Sequence, residues 1–350
     1  MKRVVILCVW LFSVVAGHAQ LSLDECRRLA RENYPEIRQY DLVHQTEQYN
    51  LSNAARAWIP QLAFSAQATW QTDAPNFPKE LTGMLAQQGL EIPGLRKDQY
   101  KVALELNQTI WDGGKSVADK RIARAEAAEQ KTMTDVDLYE LEGRVDDLYF
   151  GILLLDERIA QTNLTLNLLR SNLEKVRALQ RNGVAMQSDA DVLEAELLSV
   201  GQQLIQFESS CDSYRRMLGI FIGQKVGDRK LQHPSAVQPL SGESARPELA
   251  MFAAKIDRLT AQEKMVKSSS MPRLGFFAQG YYGYPGLDYM QSMMNNDWSW
   301  NAMLGVKLSW NFGAYYTQKN NLNKLRTSRQ QVEVQRDVFL FNMNLQAAQE

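Results

Sequence analysis

The stretch IPQLAF at residues 59–64 is matched 212 positions later by MPRLGF at residues 271–276. Upstream of these stretches, YPEI at 34–37 is matched by RPEL at 246–249. The two prolines of each copy are therefore 25 residues apart, 35 to 60 in one and 247 to 272 in the other. Self-similarity at a nearly fixed offset indicates a duplicated structural unit. The sequence predicts two copies of one architecture.

Apolar and polar residues alternate after the second proline of each copy, and a second alternating run follows. A period of two indicates β-strands with unlike faces. We predict strands at 61–71, 100–111, 273–283 and 299–310. The apolar positions of the four runs are Leu62, Phe64, Ala66, Ala68 and Trp70; Val102, Leu104 and Leu106; Leu274, Phe276, Ala278, Gly280 and Tyr282; and Leu304, Val306 and Leu308.

Aromatic residues gather at the ends of these runs. Their rings favour the headgroup level of a membrane, and a tilted transmembrane strand needs roughly 9 to 11 residues with unlike faces. The alternative is a half-buried sheet in a water-soluble protein, which alternates in the same way. The aromatic residues that we assign to the membrane interface are Trp70, Trp111, Tyr281, Tyr282, Trp298, Trp300 and Trp310.

Residues 115–181 contain no proline and only two glycines. Apolar residues recur in steps of four and three from Leu141 to Val176 and again from Leu193 to Leu218, a pattern typical of coiled-coil packing. A helix of this length would extend roughly 100 Å, about twice the length of a globular domain of this size. We therefore expect an elongated molecule.

Two long helices are predicted to form a hairpin. Gly183 ends the first, since glycine readily supplies a left-handed C-terminal cap. Ser188, with an acid three residues later, predicts the start of the next helix at 188–221. That helix and the segment 246–271 together span about 90 Å if stacked end to end. Their combined length nearly equals that of 115–181, as in an antiparallel hairpin with a broken return arm.

Composition excludes several classes of protein. The chain has 39 Lys and Arg against 40 Asp and Glu, a formal net charge of −1, which argues against a nucleic-acid binder. With 45% hydrophobic residues and a mean hydropathy of −0.36, it is neither a disordered tail nor a polytopic helical membrane protein. Residues 1–19 have the basic start, short apolar run and small-residue site of a secretory signal. A short uncleaved anchor is the alternative.

Few residues could carry chemistry. After the signal, the histidines are His44 and His233, without the ligand spacing of a metal site. No nucleophile elbow, phosphate-binding loop or dinucleotide fingerprint is present in the sequence. Cys26 and Cys211 fit small core residues better than a disulfide, although a single bridge is possible. We expect no enzymatic activity, metal or cofactor.

The secretory signal, the duplicated helix-strand-strand-helix units, the long hairpin helices and the sequence WDGG at 111–114 occur together. In this combination the chain resembles the TolC-like outer membrane efflux protein family over residues 22–350. The resemblance implies a mainly α fold with a membrane β part, in which hairpin helices form a periplasmic tunnel. It also implies a homotrimer in the outer membrane of a Gram-negative bacterium, each protomer giving four strands to a shared 12-stranded β-barrel.

The resemblance further implies an exit duct that exports drugs, other small molecules or polypeptides, coupled to an inner-membrane pump and a periplasmic adaptor. Open strand edges in lipid leave backbone groups unsatisfied, which independently requires several subunits to share one barrel. The alternative function is a periplasmic adaptor with a coiled-coil hairpin. Such a protein would carry lipoyl-like and barrel domains beside its hairpin instead of a duplicated strand pair.

The stretch NGVAMQSD at 182–189 looks like the hairpin tip of this family. We expect apolar tip residues to dock the adaptor and tip acids to form a charged ring at the tunnel mouth. The alternatives are capping for the glycine and a favourable position near a helix N-terminus for the acids. The docking candidates are Gly183, Val184, Ala185 and Met186, and the ring candidates are Asp189 and Asp191.

The repeat also predicts the domain organisation. The sequence ends inside the last long helix, so we expect a truncated form that lacks roughly 80 to 100 residues of the second hairpin. The predicted segments are a signal peptide 1–19; a first repeat 20–221 with helices 22–59, 115–181 and 188–221; a linker 222–245; and an incomplete second repeat 246–350 with helices 246–271 and 314–350.

Overall fold

The structure is a computed structural model that describes residues 21–89, 92–234 and 246–349. Its helices are α1 (Leu23–Asn33), α2 (Gln39–Arg56), α3 (Lys79–Gln87), α4 (Lys115–Arg181), α5 (Gln187–Ile222), α6 (Pro247–Ser268), α7 (Tyr289–Asn295) and α8 (Ala314–Gln349). The strands β1 (Gln61–Trp70), β2 (Asp98–Trp111), β3 (Arg273–Tyr284) and β4 (Ser299–Ser309) form one sheet among the described residues. The predicted signal peptide lies outside these ranges.

The chain divides into two compact units. The first, the helical unit, comprises the described residues of Met1–Leu42 and Lys131–Glu248, and the second, the sheet unit, those of Val43–Gln130 and Leu249–Glu350. The boundaries fall inside α2, α4 and α6. The sheet unit combines segments of both predicted repeats, because strand pairing joins residues that are distant in sequence.

The long helices α4 and α5 carry the predicted coiled-coil stripe. In α4 the stripe residues Val145, Ile152, Leu166 and Leu173 are buried, and the stripe residues of α5 are buried or half-buried. The residues between them are mostly exposed, as the 4-3 spacing requires of a helix with one packed face. The predicted coiled-coil pattern is confirmed.

The core of the helical unit forms where α1 packs on α4 and α5. Cys26, Tyr149 and Leu218 are fully buried there. Cys26 and Cys211 are both free and buried, so they are core residues as the sequence favoured. Burial raises the pKa of Cys26 to about 12, which keeps the thiol neutral near neutral pH.

Ion pairs and a short bridge frame this core. The Arg27 guanidinium of α1 donates from Nε and Nη2 to the Asp146 carboxylate of α4 at 2.7 and 2.6 Å. Leu21 pairs with Leu231 in an isolated parallel bridge. The linker predicted at 222–245 therefore includes a segment bound to the core, and its residues 235–245 lie outside the described ranges.

The helix predicted at 22–59 is wrong as one element. It divides into α1, a 3₁₀ turn at Pro35–Arg38, and α2. Tyr34 is extended (φ −70°, ψ 126°) because a residue before proline is pushed out of the helical region, and Pro35 lacks the N–H that would continue α1. α2 likewise ends at Arg56, close before Pro60.

Other boundaries differ by a few residues. α6 ends at Ser268 instead of 271, and α5 begins at Gln187 instead of 188. Two short helices, α3 and α7, lie in the connections between paired strands and were not predicted. Neither has the sustained periodicity from which a helix is inferred.

The sheet is antiparallel, in the order β1-β2-β3-β4. β2 and β3 are joined at the centre, so the two predicted strand pairs make one sheet. A bulge lies between Thr109 and Trp111 at the end of β2. In the same unit, Phe252 and Leu259 of α6 pack against Val332 of α8.

Candidate functional site: the hairpin tip and the four-stranded sheet

The turn between α4 and α5 is a Schellman motif. Gly183 has φ +75°, its N–H donates to the carbonyl of Gln180 at 2.9 Å, and the N–H of Val184 donates to that of Leu179 at 2.9 Å. These bonds satisfy carbonyls that the end of a helix leaves open. Gly183 is needed for this backbone conformation, which residues with a Cβ rarely adopt.

The N-cap of α5 is Met186 instead of the predicted Ser188. Asp189, the third residue of the helix, accepts a hydrogen bond through a carboxylate oxygen from the Met186 N–H at 2.9 Å. Asp191 accepts a hydrogen bond from Gln187 at 2.7 Å. Both predicted ring acids therefore have local structural partners, in the first turns of a helix where a carboxylate is favourable.

Apolar side chains are exposed at the tip. Val184 and Met186 are 73% and 74% exposed, and Val192, near the start of α5, is 68% exposed. Ala185 is half-buried. The turn thus brings the predicted docking residues together in one short segment, and two of them present most of their surface to solvent.

One face of the sheet is apolar across all four strands. Phe64 and Leu304 on this face are 73% and 76% exposed. A soluble monomer rarely exposes a continuous apolar surface of this extent. The rows that cross the sheet are Ala66, Val102, Tyr282 and Trp300; Phe64, Leu104, Gly280 and Ala302; and Leu62, Leu106, Ala278 and Leu304.

Aromatic rings border this face at both ends. At one end Trp298 stacks on Tyr100 with 5.6 Å between ring centroids, and Tyr282 lies 5.0 Å from Trp300. At the other end, Trp310 donates from Nε1 to the carbonyl of Ser270 at 3.0 Å. Ten residues of a strand tilted by about 40° bridge roughly 25 Å, the height of the apolar band of a transmembrane sheet.

The predicted interface aromatics do not all share this face. Trp70 and Tyr282 belong to the apolar set, and Trp111 lies at the end of β2 beyond the bulge. Tyr281 instead points to the opposite face, where it is buried beneath the Lys101 ammonium group, 4.6 Å from the ring centroid. Strand alternation separates the neighbours Tyr281 and Tyr282.

The WDGG stretch begins α4 with a buried cap. Asp112 accepts hydrogen bonds from the N–H groups of Gly114 and Ser116 at 2.9 and 2.7 Å, and from the Ser116 hydroxyl. Burial raises the pKa of Asp112, but the hydrogen bonds outweigh it, and the pKa lies below its usual value. Asn311 makes the corresponding bond to the Gly313 N–H at 3.0 Å in the second copy.

The sequence did not reveal a hydrogen-bonded ladder on the polar face. Lys101 donates to Gln279 Oε1 at 3.1 Å, and the Gln279 amide donates to Glu105. The residues come from strands separated by more than 160 positions, so only knowledge of the β2–β3 register could have found the contact.

Within residues 21–89, 92–234 and 246–349, no cluster of three or more His, Cys, Asp and Glu residues could hold a metal ion. Among the helices of the same ranges, none is long and apolar enough to cross a membrane.

The fold matches solved outer membrane proteins. VceC of Vibrio cholerae aligns with a TM-score of 0.66 at 15% identity, covering 91% of this chain and 75% of VceC. The outer-membrane channel OprN aligns at 0.65 and 14%, covering 91% and 71%. The Campylobacter jejuni channel CmeC aligns at 0.62 and 14%, covering 91% and 68%. No protein of curated function matches in sequence.

The sequence itself matches a family profile described as outer membrane efflux protein over residues 27–223, more than half of the chain. The match runs from α1 to the end of α5 and includes β1, β2 and the hairpin. A periplasmic adaptor is not favoured by this match. The chain belongs to the outer membrane efflux protein family.

Proposed function

We propose that three copies of this chain form one exit duct, in which each copy contributes four strands to a common 12-stranded barrel. The chain is an outer membrane efflux protein of a Gram-negative bacterium. We also propose that the duct releases drugs, other small molecules or polypeptides received from an inner-membrane pump. It has no catalytic activity of its own in this proposal.

The observation that carries the shared barrel is the open order of the sheet. β1 and β4 are its edges, so one side of each strand has backbone groups without a partner strand in the described chain. In lipid each such group costs several kcal/mol. Pairing β4 of one copy with β1 of the next would satisfy both edges and keep every apolar face on the outside.

Gel mobility of the full-length protein tests the oligomer. We expect an unheated sample in mild detergent to migrate as a trimer and a boiled sample to migrate as a monomer, because closing the barrel joins the edge strands. A matched sample of a soluble periplasmic protein controls for the gel conditions. A single monomer band in the unheated sample would contradict the shared barrel.

We also propose that the hairpin tip docks a periplasmic adaptor. Exposed Val184 and Met186 support this role, since interface centres are enriched in apolar residues and methionine. Gly183, which forms the turn, and the half-buried Ala185 are the other docking candidates. Asp189 and Asp191 remain the candidates for a charged ring at the tunnel mouth, and their local bonds leave carboxylate oxygen capacity for further partners.

Cysteine crosslinking in cells tests the docking surface. Val184→Cys and Met186→Cys should each trap an adaptor with a short bifunctional reagent, because these side chains extend from the tip. Leu164→Cys is the matched control, since it is 70% exposed on α4 but about 25 Å from the end of that helix. Equal trapping by all three variants, or by none, would count against docking at the tip.

A further inference from the structure

The polar face of the sheet carries charged side chains, of which some have a partner of opposite charge and others do not. The ladder described above links Lys101 through Gln279 to Glu105. One ammonium group and one carboxylate therefore offset each other on this face. Lys101 also lies over the Tyr281 ring, which stabilises the cation further.

Two cations on the same face have no such compensation. Arg273 at the start of β3 pairs with Ser309, and Lys307 of β4 pairs with Gly275. Both side chains are exposed, and neither has an ion pair or hydrogen bond among the residues that the structure describes. The register makes Arg273 and Lys307 diagonal neighbours, roughly 7 to 8 Å apart at the backbone.

A cavity of about 690 Å³ opens on this face and includes both cations in its lining. The acids that also line it are Glu105, Asp112 and Asp119. Asp112 is buried under its three hydrogen bonds at the start of α4, and Asp119 pairs with Lys115 at 3.1 Å. Asp112 stays negatively charged, because its hydrogen-bond donors are uncharged. With Glu105 offset by Lys101 and Asp119 by Lys115, Arg273 and Lys307 together still exceed the charge of Asp112, so the net charge beside the cavity is positive.

Gly275, the residue opposite Lys307, has no side chain that could cover the lysine, although a Cβ there would lie 3.3 Å from the Gln108 carbonyl oxygen. An anion could approach Arg273 and Lys307 together there. Guanidinium and ammonium groups both donate hydrogen bonds to carboxylates and phosphates.

We propose that this face makes the duct favour small anions, with Arg273 and Lys307 as the residues that determine the preference. The inference rests on the proposed duct, because the polar face lines a passage only if several copies close around it. Each copy then adds the same pair of cations to one water-filled lumen. Rings of cationic side chains favour anions in pores.

Reversal potentials of the full-length protein in planar bilayers test the preference. Under a KCl gradient the reversal potential gives the chloride-to-potassium permeability ratio. The proposed acid ring of Asp189 and Asp191 at the tunnel mouth lowers this ratio, so the expected result is the change that each substitution on the polar face makes in it. Replacing both cations, R273Q with K307Q, should lower that ratio by at least about two-fold, because the uncompensated charges are removed. Glu105→Gln should raise it. Lys307→Arg keeps the charge and should leave the ratio unchanged.

The outcomes separate the inference from the proposed function. Absence of conductance steps from correctly folded trimers would contradict the duct itself. Clear conductance with a ratio that neither R273Q with K307Q nor Glu105→Gln changes would overturn only the anion preference. If the double variant fails to assemble, Lys307→Gln alone provides the same comparison at about half the expected shift.

Discussion

Leu304→Arg is expected to prevent stable insertion of the protein into the outer membrane. Leu304 lies on the apolar face, midway between Trp300 and Trp310, and is 76% exposed in the single chain. An arginine on the lipid face near the middle of a transmembrane sheet costs about 2 to 4 kcal/mol in each copy. Membrane fractionation and the unheated trimer band should both show the loss.

Met303→Arg is the matched control for this substitution. Met303 is the neighbouring residue of β4 and belongs to the opposite, polar face, opposite Gln279 of β3. The same arginine there would face water and should leave insertion nearly unchanged. If the two variants inserted equally well, the apolar face could not be the lipid-facing surface.

Tyr149→Ala is expected to destabilise the helical unit by about 3 to 5 kcal/mol, the usual cost of removing a large buried aromatic side chain. Tyr149 is fully buried, and its hydroxyl lies 2.8 Å from the carbonyl of Leu21 and 2.6 Å from that of Gln232. Burial raises the pKa of Tyr149 to about 12, so the hydroxyl stays a donor at neutral pH. Urea unfolding of the full-length protein in detergent, followed by circular dichroism, measures the loss.

Two further variants separate packing from hydrogen bonding at this position. Tyr149→Phe keeps the ring and should cost about 1 to 3 kcal/mol, because the single hydroxyl proton that these two carbonyls share is lost. Phe150→Ala is the control, since the neighbouring ring is 49% exposed in the single chain. A loss for Phe150→Ala as large as that for Tyr149→Ala would show that the core around Tyr149 is not the main support of this unit.

Much of this architecture was accessible from local patterns. The alternation after Pro60 and Pro272 predicted strands on which the structure agrees to within about two residues. The steps of four and three predicted the buried stripes of α4 and α5. These patterns can be recognised in a sequence because the apolar residues of a packed face repeat with the period of the helix or strand that carries them. The repeat does not depend on which element packs against that face.

Local sequence patterns predicted the wrong helix boundaries where a single residue determines the backbone conformation. Pro35 divided a segment that otherwise has helical spacing. Met186, and not Ser188, is the N-cap of α5, and Asp189 bonds back to the Met186 N–H. The residue types alone are compatible with an undivided helix at 22–59 and with Ser188 as the N-cap of α5. The backbone geometry excludes both.

The sequence alone determined the four strands, the long helices, their order, their apolar faces and the duplication, since each of these depends on periodic patterns along the chain. The tertiary structure decided which strand lies beside which, and hence that Tyr281 lies beneath Lys101 while Arg273 and Lys307 stand without carboxylate partners. It also brought the Tyr149 hydroxyl to carbonyls 128 and 83 residues away. Such contacts depend on register and packing between distant segments, which the local periods of a single chain do not encode.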